Sequence, residues 1–328
     1  MKLKVGIPTT LHYYSFYPFW KAFFEQLNID VITSPVTTKE IVDLGVAETV
    51  NDACVPIKIF HGHVMALKEK VDFLFIPRMV SMTNESTFCP KFLGLPNMIK
   101  ASISNLPPII EPRIDLKNSK LEMWNICRSI ADRFTANRLV AFKAYRCAVK
   151  AQQTYEKLLV KKVKPLSFLQ AEGKNEYINN NAETGLVKLA VLGYPYEVYD
   201  PFISVNVLKR LEEQGVEVVT LEMISKKELA RYSKSLPKNL FWYYSNLVVR
   251  AGFYYLDHQV DGIIHVTAFG CGPDAMVDKL LELEAKERGQ VPFMSLTIDE
   301  HSGEAGVATR IEAFVDMIRL RKEQTACG

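Results

Sequence analysis

Short apolar runs alternate with longer amphipathic stretches along this chain, and the alternation starts twice. In the first half the spacing predicts strands at 2–8, 30–34, 72–77 and 109–114, and helices at 13–27, 38–44 and 56–70. DFLFIP at 72–77 is nearly continuous in apolar residues, as expected of a parallel strand covered on both faces. Residues 121–159 contain neither Gly nor Pro and read as a long helical region. A polar stretch at 160–185, with GKNEYINNNAETG at its centre, reads as a linker. Then the same grammar resumes, with strands expected at 188–193, 216–222, 261–267 and 291–298. Helices are expected there at 201–214, 226–232, 239–258, 273–288 and 306–322. This predicts an α/β fold of two Rossmann-like, doubly wound parallel-sheet domains joined by a helical connecting region. The expected boundaries are 1–120, 121–185 and 186–328.

Composition narrows the class. Hydrophobic residues make up 48% and charged residues 23%, the balance of a soluble globular protein. A net charge of +3, spread among scattered Lys and Arg, gives no footprint for nucleic acid. The densest basic run, residues 161–164, reads as a solvated connector. No apolar stretch reaches the roughly 18 residues of a membrane span; the most apolar segment, 241–256, is interrupted by Ser245, Asn246 and Arg250. MKLKVGIPTT at the start alternates like a strand and lacks the apolar core of a signal peptide. A cytoplasmic protein is expected. In a reducing compartment its six cysteines gain weight as metal or redox groups.

Three of them share a setting. Cys54 lies in NDACVPIKIFHGHV, Cys89 in STFCPKFLGLP and Cys271 in AFGCGPDAMVDKL, each with a proline one or two residues later. Proline suits the first turn of a helix, so Cys54 and Cys271 are expected just before helix N-termini. Cys271 also follows a buried strand, at the carboxyl edge where open α/β sheets bind ligands. A helix N-terminus favours a thiolate, and an iron–sulfur cluster is an anion whose sulfurs accept backbone N–H bonds. Spacing alone leaves two readings open: one shared metal site, or three separate structural cysteines. There is no C-x-x-C run of the zinc-ribbon or ferredoxin kind. Cys127 and Cys147, inside the helical region, read as packing residues, and Cys327 falls at the chain's end.

At these residues the sequence resembles the 2-hydroxyacyl-CoA dehydratases and their ATP-dependent activators, a group with stand-alone, activase-related members. The resemblance rests on VGIPTTLHYYSFYPFW (5–20), CVPIKIFHGHV (54–64), FCPKFLGLPNMIKA (88–101), LGYPYEVYDPFIS (192–204), HVTAFGCGPDA (265–275) and TIDEHSGEAGVATRIEAFVDMI (297–318). It implies Rossmann-like domains around a [4Fe–4S] cluster held by Cys54, Cys89 and Cys271, with one iron open to a small substrate such as an acyl-CoA. A related branch, the double-cubane proteins, carries an [8Fe–9S] cluster and would need further thiolates, from Cys127, Cys147 or a second subunit. The family's partner is an ATP-dependent activator that donates a low-potential electron. This chain lacks GxxxxGK[ST] and reads as the acceptor. A homodimer, or a subunit of a hetero-oligomer, is the expected assembly. A non-catalytic cluster carrier, an accessory subunit of a larger reductase, and a zinc-binding or cluster-free version of the fold are the rival readings.

Other polar residues stand beside the cysteines as candidates. Asp299 and Glu300, after the last strand, are candidates for an acid or base, against loop and cap duties. Asp200 reads as a cap with room for a ligand contact. His61 and His63, two residues apart, point to different sides of a helix and make no joint metal site. Lys58 and Lys91 are placed to offset cluster charge, with solvation as the ordinary alternative, and His265 reads as a packed strand histidine. No GxGxxG is present, so a dinucleotide role has no motif behind it.

Overall fold

A computed structural model of the protein describes residues 2–119, 121–134, 137–163, 187–236, 238–288, 291–301 and 303–327, with 165 and 169. The centre of the expected linker, 173–185, and the side chain of Cys327 lie outside the described residues. The chain forms two compact units, residues 1–158 with 240–243, and residues 159–239 with 244–328.

The first unit runs β1 (Lys4–Ile7), α1 (Tyr13–Gln26), β2 (Asp30–Thr33), α2 (Lys39–Ala47), α3 (Val55–Leu67), β3 (Phe73–Phe75), β4 (Arg78–Ser81), α4 (Pro90–Ser102), β5 (Ile109–Ile110), β6 (Arg113–Asp115), α5 (Leu121–Ala131) and α6 (Arg138–Val160), the last of which runs past its boundary. β2, β1, β3 and β5 form a parallel sheet in that order. β4 and β6 pair separately and also in parallel. Pro77 and Pro112 fall between the two ladders; neither has an N–H to donate, which divides one long strand pair into two.

The aromatic stripe of α1 supplies much of the core. Trp20, Phe23 and Phe24 are buried, and Trp20 and Phe24 pack on Phe75 of β3. Tyr155 of α6 donates to the Tyr14 carbonyl at 2.7 Å, tying that helix to α1. α2 and α3 cross so closely that a Cβ on Gly45 would run into the Lys58 carbonyl, and one on Gly62 into the Ile41 carbonyl. Gly62 in the H-G-H stretch is thus a packing residue.

The second unit runs β7 (Lys188–Leu192), α7 (Pro195–Val198), α8 (Val207–Glu213), β8 (Glu217–Thr220), α9 (Lys226–Arg231), α10 (Tyr243–Asp257), β9 (Gly262–Ala268), α11 (Gly272–Glu287), β10 (Phe293–Ile298) and α12 (Glu304–Cys327). Its sheet has the order β8, β7, β9, β10, again parallel throughout. Numbered within each four-stranded sheet, both read second, first, third, fourth. The α/β class expected from the alternation is therefore the class observed. No described helix is long and apolar enough to cross a membrane.

Several elements differ from expectation for local reasons. The helical region 121–159 is two helices, and the Asn137 side chain caps the second by accepting the Leu139 N–H at 2.9 Å. The helix expected from 201 begins at Val207, because Val205 and Asn206 adopt left-handed backbone angles (φ 50° and 55°). α4 was not foreseen; Pro96 in its interior masks the pattern.

Candidate functional site

Helices that connect parallel strands run back against them, so their N-termini lie at the sheet's carboxyl edge. All three flagged cysteines take that station. Cys54 caps α3 and Cys89 caps α4, with nearly identical extended backbones (φ −65°, ψ 151° and φ −65°, ψ 157°). Cys271 caps α11 (φ −89°, ψ 94°). Each helix has proline in its first two positions, and no cap side chain makes a capping hydrogen bond. The expected placement of Cys54 and Cys271 thus extends to Cys89.

Within the first unit, Cys54 and Cys89 come together. Cys54 is 9% exposed, and its carbonyl accepts the Ile57 and Lys58 N–H groups at 3.0 and 3.2 Å. Cys89 is held by the residues before it. Phe88 N–H donates to the Val80 carbonyl at 2.8 Å, and Thr87 bonds the strap 240–243, donating to Phe241 and accepting from Tyr243. The Phe88 ring lies against Phe92 and Tyr243. Lys91, the second residue of α4, donates to the Asp52 carbonyl at 3.4 Å and lies within electrostatic reach of the Cys54 thiol. Lys58 is buried, not solvated.

Both thiols titrate above the ordinary cysteine range. Burial pushes Cys54 up against the pull of Lys91 and nearby N–H groups. Burial also pushes Cys89 up; backbone N–H groups of Phe92 and Lys91 oppose it, and a charge on Cys54 adds to it. The helix-terminus effect expected to favour thiolates is therefore outweighed by desolvation. The two thiols are thus close enough for a charge on one to act on the other, with a lysine beside them, and desolvation favours their neutral forms.

The three histidines of this unit are all buried. His63 is fully buried, with Nδ1 2.8 Å from Ser34 Oγ and Nε2 3.0 Å from Thr37 Oγ1, and burial lowers its pKa to about 3. His61 Nδ1 lies 2.8 Å from the Ile57 carbonyl. His12, which sequence reasoning did not single out, is buried at the carboxyl edge of β1, where desolvation lowers its pKa to about 4.

In the second unit, the sheet order changes direction between β7 and β9, and Cys271 stands at that switch point. Gly270 makes the turn into α11 with φ 78°. His265 of β9 is fully buried between two carboxylates of α11: Nδ1 is 2.7 Å from Asp278 Oδ1, and Nε2 is 3.3 Å from Asp274 Oδ1. Burial alone would lower its pKa, but Asp274 and Asp278 outweigh it and hold the ring at about 9. Tyr194, at the end of β7, places its hydroxyl 2.7 Å from Ser245 Oγ. Burial, with the charges of Asp274, Cys271 and Glu197, raises its phenol well above the ordinary value. Sequence reasoning saw His265 but missed Asp274, although Asp274 and Asp278 share one helix face four residues apart.

Asp299 accepts the His301 N–H at 2.8 Å in the loop after β10, an edge strand of this sheet, and Glu300 follows it. Asp200 accepts the N–H groups of Phe202 and Ile203 at 2.9 and 3.2 Å, holding a turn in place of the expected helix cap, since the next helix begins at Val207. Cys127 is fully buried and Cys147 partly so, both as free thiols. Among the described residues, no group of three or more His, Cys, Asp or Glu is arranged to hold a metal ion.

No curated protein matches the chain. Among solved structures, a Yersinia pestis protein described as an Asp/Glu racemase aligns over 97% of this chain and 99% of its own. At 13% identity and a TM-score of 0.22, that likeness carries no argument. A family model described as CoA enzyme activase uncharacterised domain (DUF2229) matches residues 4–224. That span covers β1 through β8, both first-unit cysteine caps and more than half of the 328 residues, and the chain belongs to this CoA enzyme activase domain family.

Proposed function

We propose that this protein is an iron–sulfur member of the acyl-CoA dehydratase system, with Cys54, Cys89 and Cys271 as the thiolate ligands of a [4Fe–4S] cluster. The reading is carried by one observation: Cys54 and Cys89 are matching helix caps, without side-chain capping bonds, close enough to repel as anions. Such a pair fits cluster ligation by its donor chemistry. Cys271 repeats the backbone station in the other unit. A bound cluster would supply one-electron reduction and an iron open to a small substrate.

The chain's own residues have plain duties in this reading. N–H groups in the first turns of α3, α4 and α11 offset anionic charge, and Lys91 adds a full positive charge. Asp299 and Glu300 are the candidate acid and base. The electron donor is an ATP-dependent activator, the substrate is small and of the acyl-CoA kind, and the assembly is a homodimer or part of a hetero-oligomer.

Anaerobic mixing with such an activator and ATP tests the electron-acceptor role. Bleaching of the absorption near about 400 nm, dependent on both, is the expected result. A spectrum indifferent to activator and ATP, in a protein that holds iron, contradicts the acceptor role and leaves a cluster of another use.

A further inference from the structure

The carboxylates of Asp274 and Asp278 grip the two ring nitrogens of His265, and this clip spans the turn that carries Cys271. His265 is on the central strand β9, Asp274 is the third residue of α11, and Asp278 lies one helical turn further on. Asp274 is fully buried, and neither of its oxygens has a hydrogen-bond partner among the described residues. A buried carboxylate whose one near polar contact is the His265 ring, at 3.3 Å, is screened little by its surroundings. Two carboxylates around one imidazolium leave the clip with one net negative charge. Asp278 is the solvent end, with its side chain 22% exposed, whereas that of Asp274 is 0% exposed.

The groups facing the clip do not cancel that charge. From β10 come the Ser295 hydroxyl, which bonds Asp278, and the Phe293 ring. Lys279 attracts Asp278 from α11 itself, but its ammonium is paired with Glu282 at 2.7 Å and largely exposed. From α7, Tyr194 brings a neutral phenol, and Glu197, whose carboxylate accepts the Tyr194 N–H at 3.2 Å, adds another buried acid. Asp274 and Cys271 both act on the Tyr194 phenol, which places the two in one electrostatic neighbourhood.

We infer that Asp274, held by His265 and Asp278, is a positioning residue that keeps the reduction potential low for the redox group bound at Cys271. A fixed, poorly screened negative charge opposes the arrival of an electron and thereby favours the oxidised form. Outer-shell groups commonly tune metal sites in this way. The inference rests on the proposed cluster and assigns it a control that no thiolate supplies.

The experiment is a redox titration of the anaerobically purified full chain as wild type, Asp274→Asn and Asp278→Asn, with iron measured on each sample. Asp274→Asn, nearly isosteric, is expected to shift the reduced-to-oxidised ratio at a fixed potential toward reduced by about tenfold. Asp278→Asn, farther along the helix and nearer solvent, shifts it the same way by about threefold. If Asp274→Asn releases iron, Asp278→Asn carries the test. Iron retained with an unmoved ratio overturns the inference and leaves the proposed function intact. A wild type that binds no iron overturns both. Independently of iron, the 15N spectrum of the metal-free chain should show the His265 ring doubly protonated near pH 7; a neutral ring overturns the clip.

Discussion

The two units share a strand order but bury histidine in opposite ways. In the first, His12 and His63 are neutral, and His63 is satisfied by the hydroxyls of Ser34 and Thr37. In the second, His265 is charged between two aspartates. The cysteines follow the same division. The first edge pairs two thiols with a lysine, while the second has one thiol beside a tyrosine–serine hydroxyl pair and a buried acid. Cys89 and Cys271 occupy the same topological place, the cap of the helix after the third strand of each sheet. At the place of Cys54, the second unit has α10, whose third residue is Ser245. One architecture therefore carries two electrostatic regimes, decided by a few residues at the strand ends.

The sharpest way to break this contrast is His265→Ala. It leaves two carboxylates facing each other without a cation and should destabilise the second unit by about 3–5 kcal/mol. Denaturant unfolding of the two variants checks it, because His63→Ala removes only neutral hydrogen bonds and should cost less, about 1–3 kcal/mol. Close packing comes next. Gly62→Ala drives a Cβ into the backbone of α2, and a loss of about 3 kcal/mol is expected. Gly252→Ala, the counterpart in α10, meets only the mobile tip of Leu281 and should cost about 1 kcal/mol. Equal losses would contradict the different tightness of the two helix contacts.

The pH dependence of stability should differ in sign between the units. His12 and His63 have folded pKa values of about 4 and about 3, below the unfolded 6.5. The unfolded chain then binds more protons, so stability is intact above 6.5 and falls as pH drops toward those values. His265 is raised to about 9 from 6.5, so its contribution is full below 6.5 and is lost as pH rises through 9. Each titrating group can contribute up to about 1.4 kcal/mol per pH unit. Melting curves from acid to alkali should show both limbs, and His265→Ala should flatten only the alkaline one. As small as the Gly252→Ala loss is the effect at the helix caps: Thr38→Ala and Ser225→Ala each remove a side-chain acceptor at an N-terminus, for about 1 kcal/mol apiece.

Much of this was legible in the sequence, and the gaps have physical causes. The parallel α/β class followed from apolar runs such as DFLFIP, and the caps at Cys54 and Cys271 followed from the prolines after them. The helix after Cys89 was hidden by Pro96, although a proline within two residues of the cysteine is the same signal that marks α3. The clip was not legible, because it depends on His265 of a strand meeting one face of the next helix, and only the fold shows which face turns inward. Nor did the sequence reveal that burial would raise the Cys54 and Cys89 thiols, since desolvation depends on tertiary packing around them.

The most direct test of the central claim is iron and acid-labile sulfide per chain after anaerobic purification, on wild type and on Cys54→Ala, Cys89→Ala, Cys271→Ala and Cys127→Ala. The proposed function predicts about four of each in wild type, loss in the first three variants and no change in Cys127→Ala. About eight irons would point to a double-cubane cluster instead. A chain that stays free of iron after reconstitution with iron and sulfide would contradict the claim.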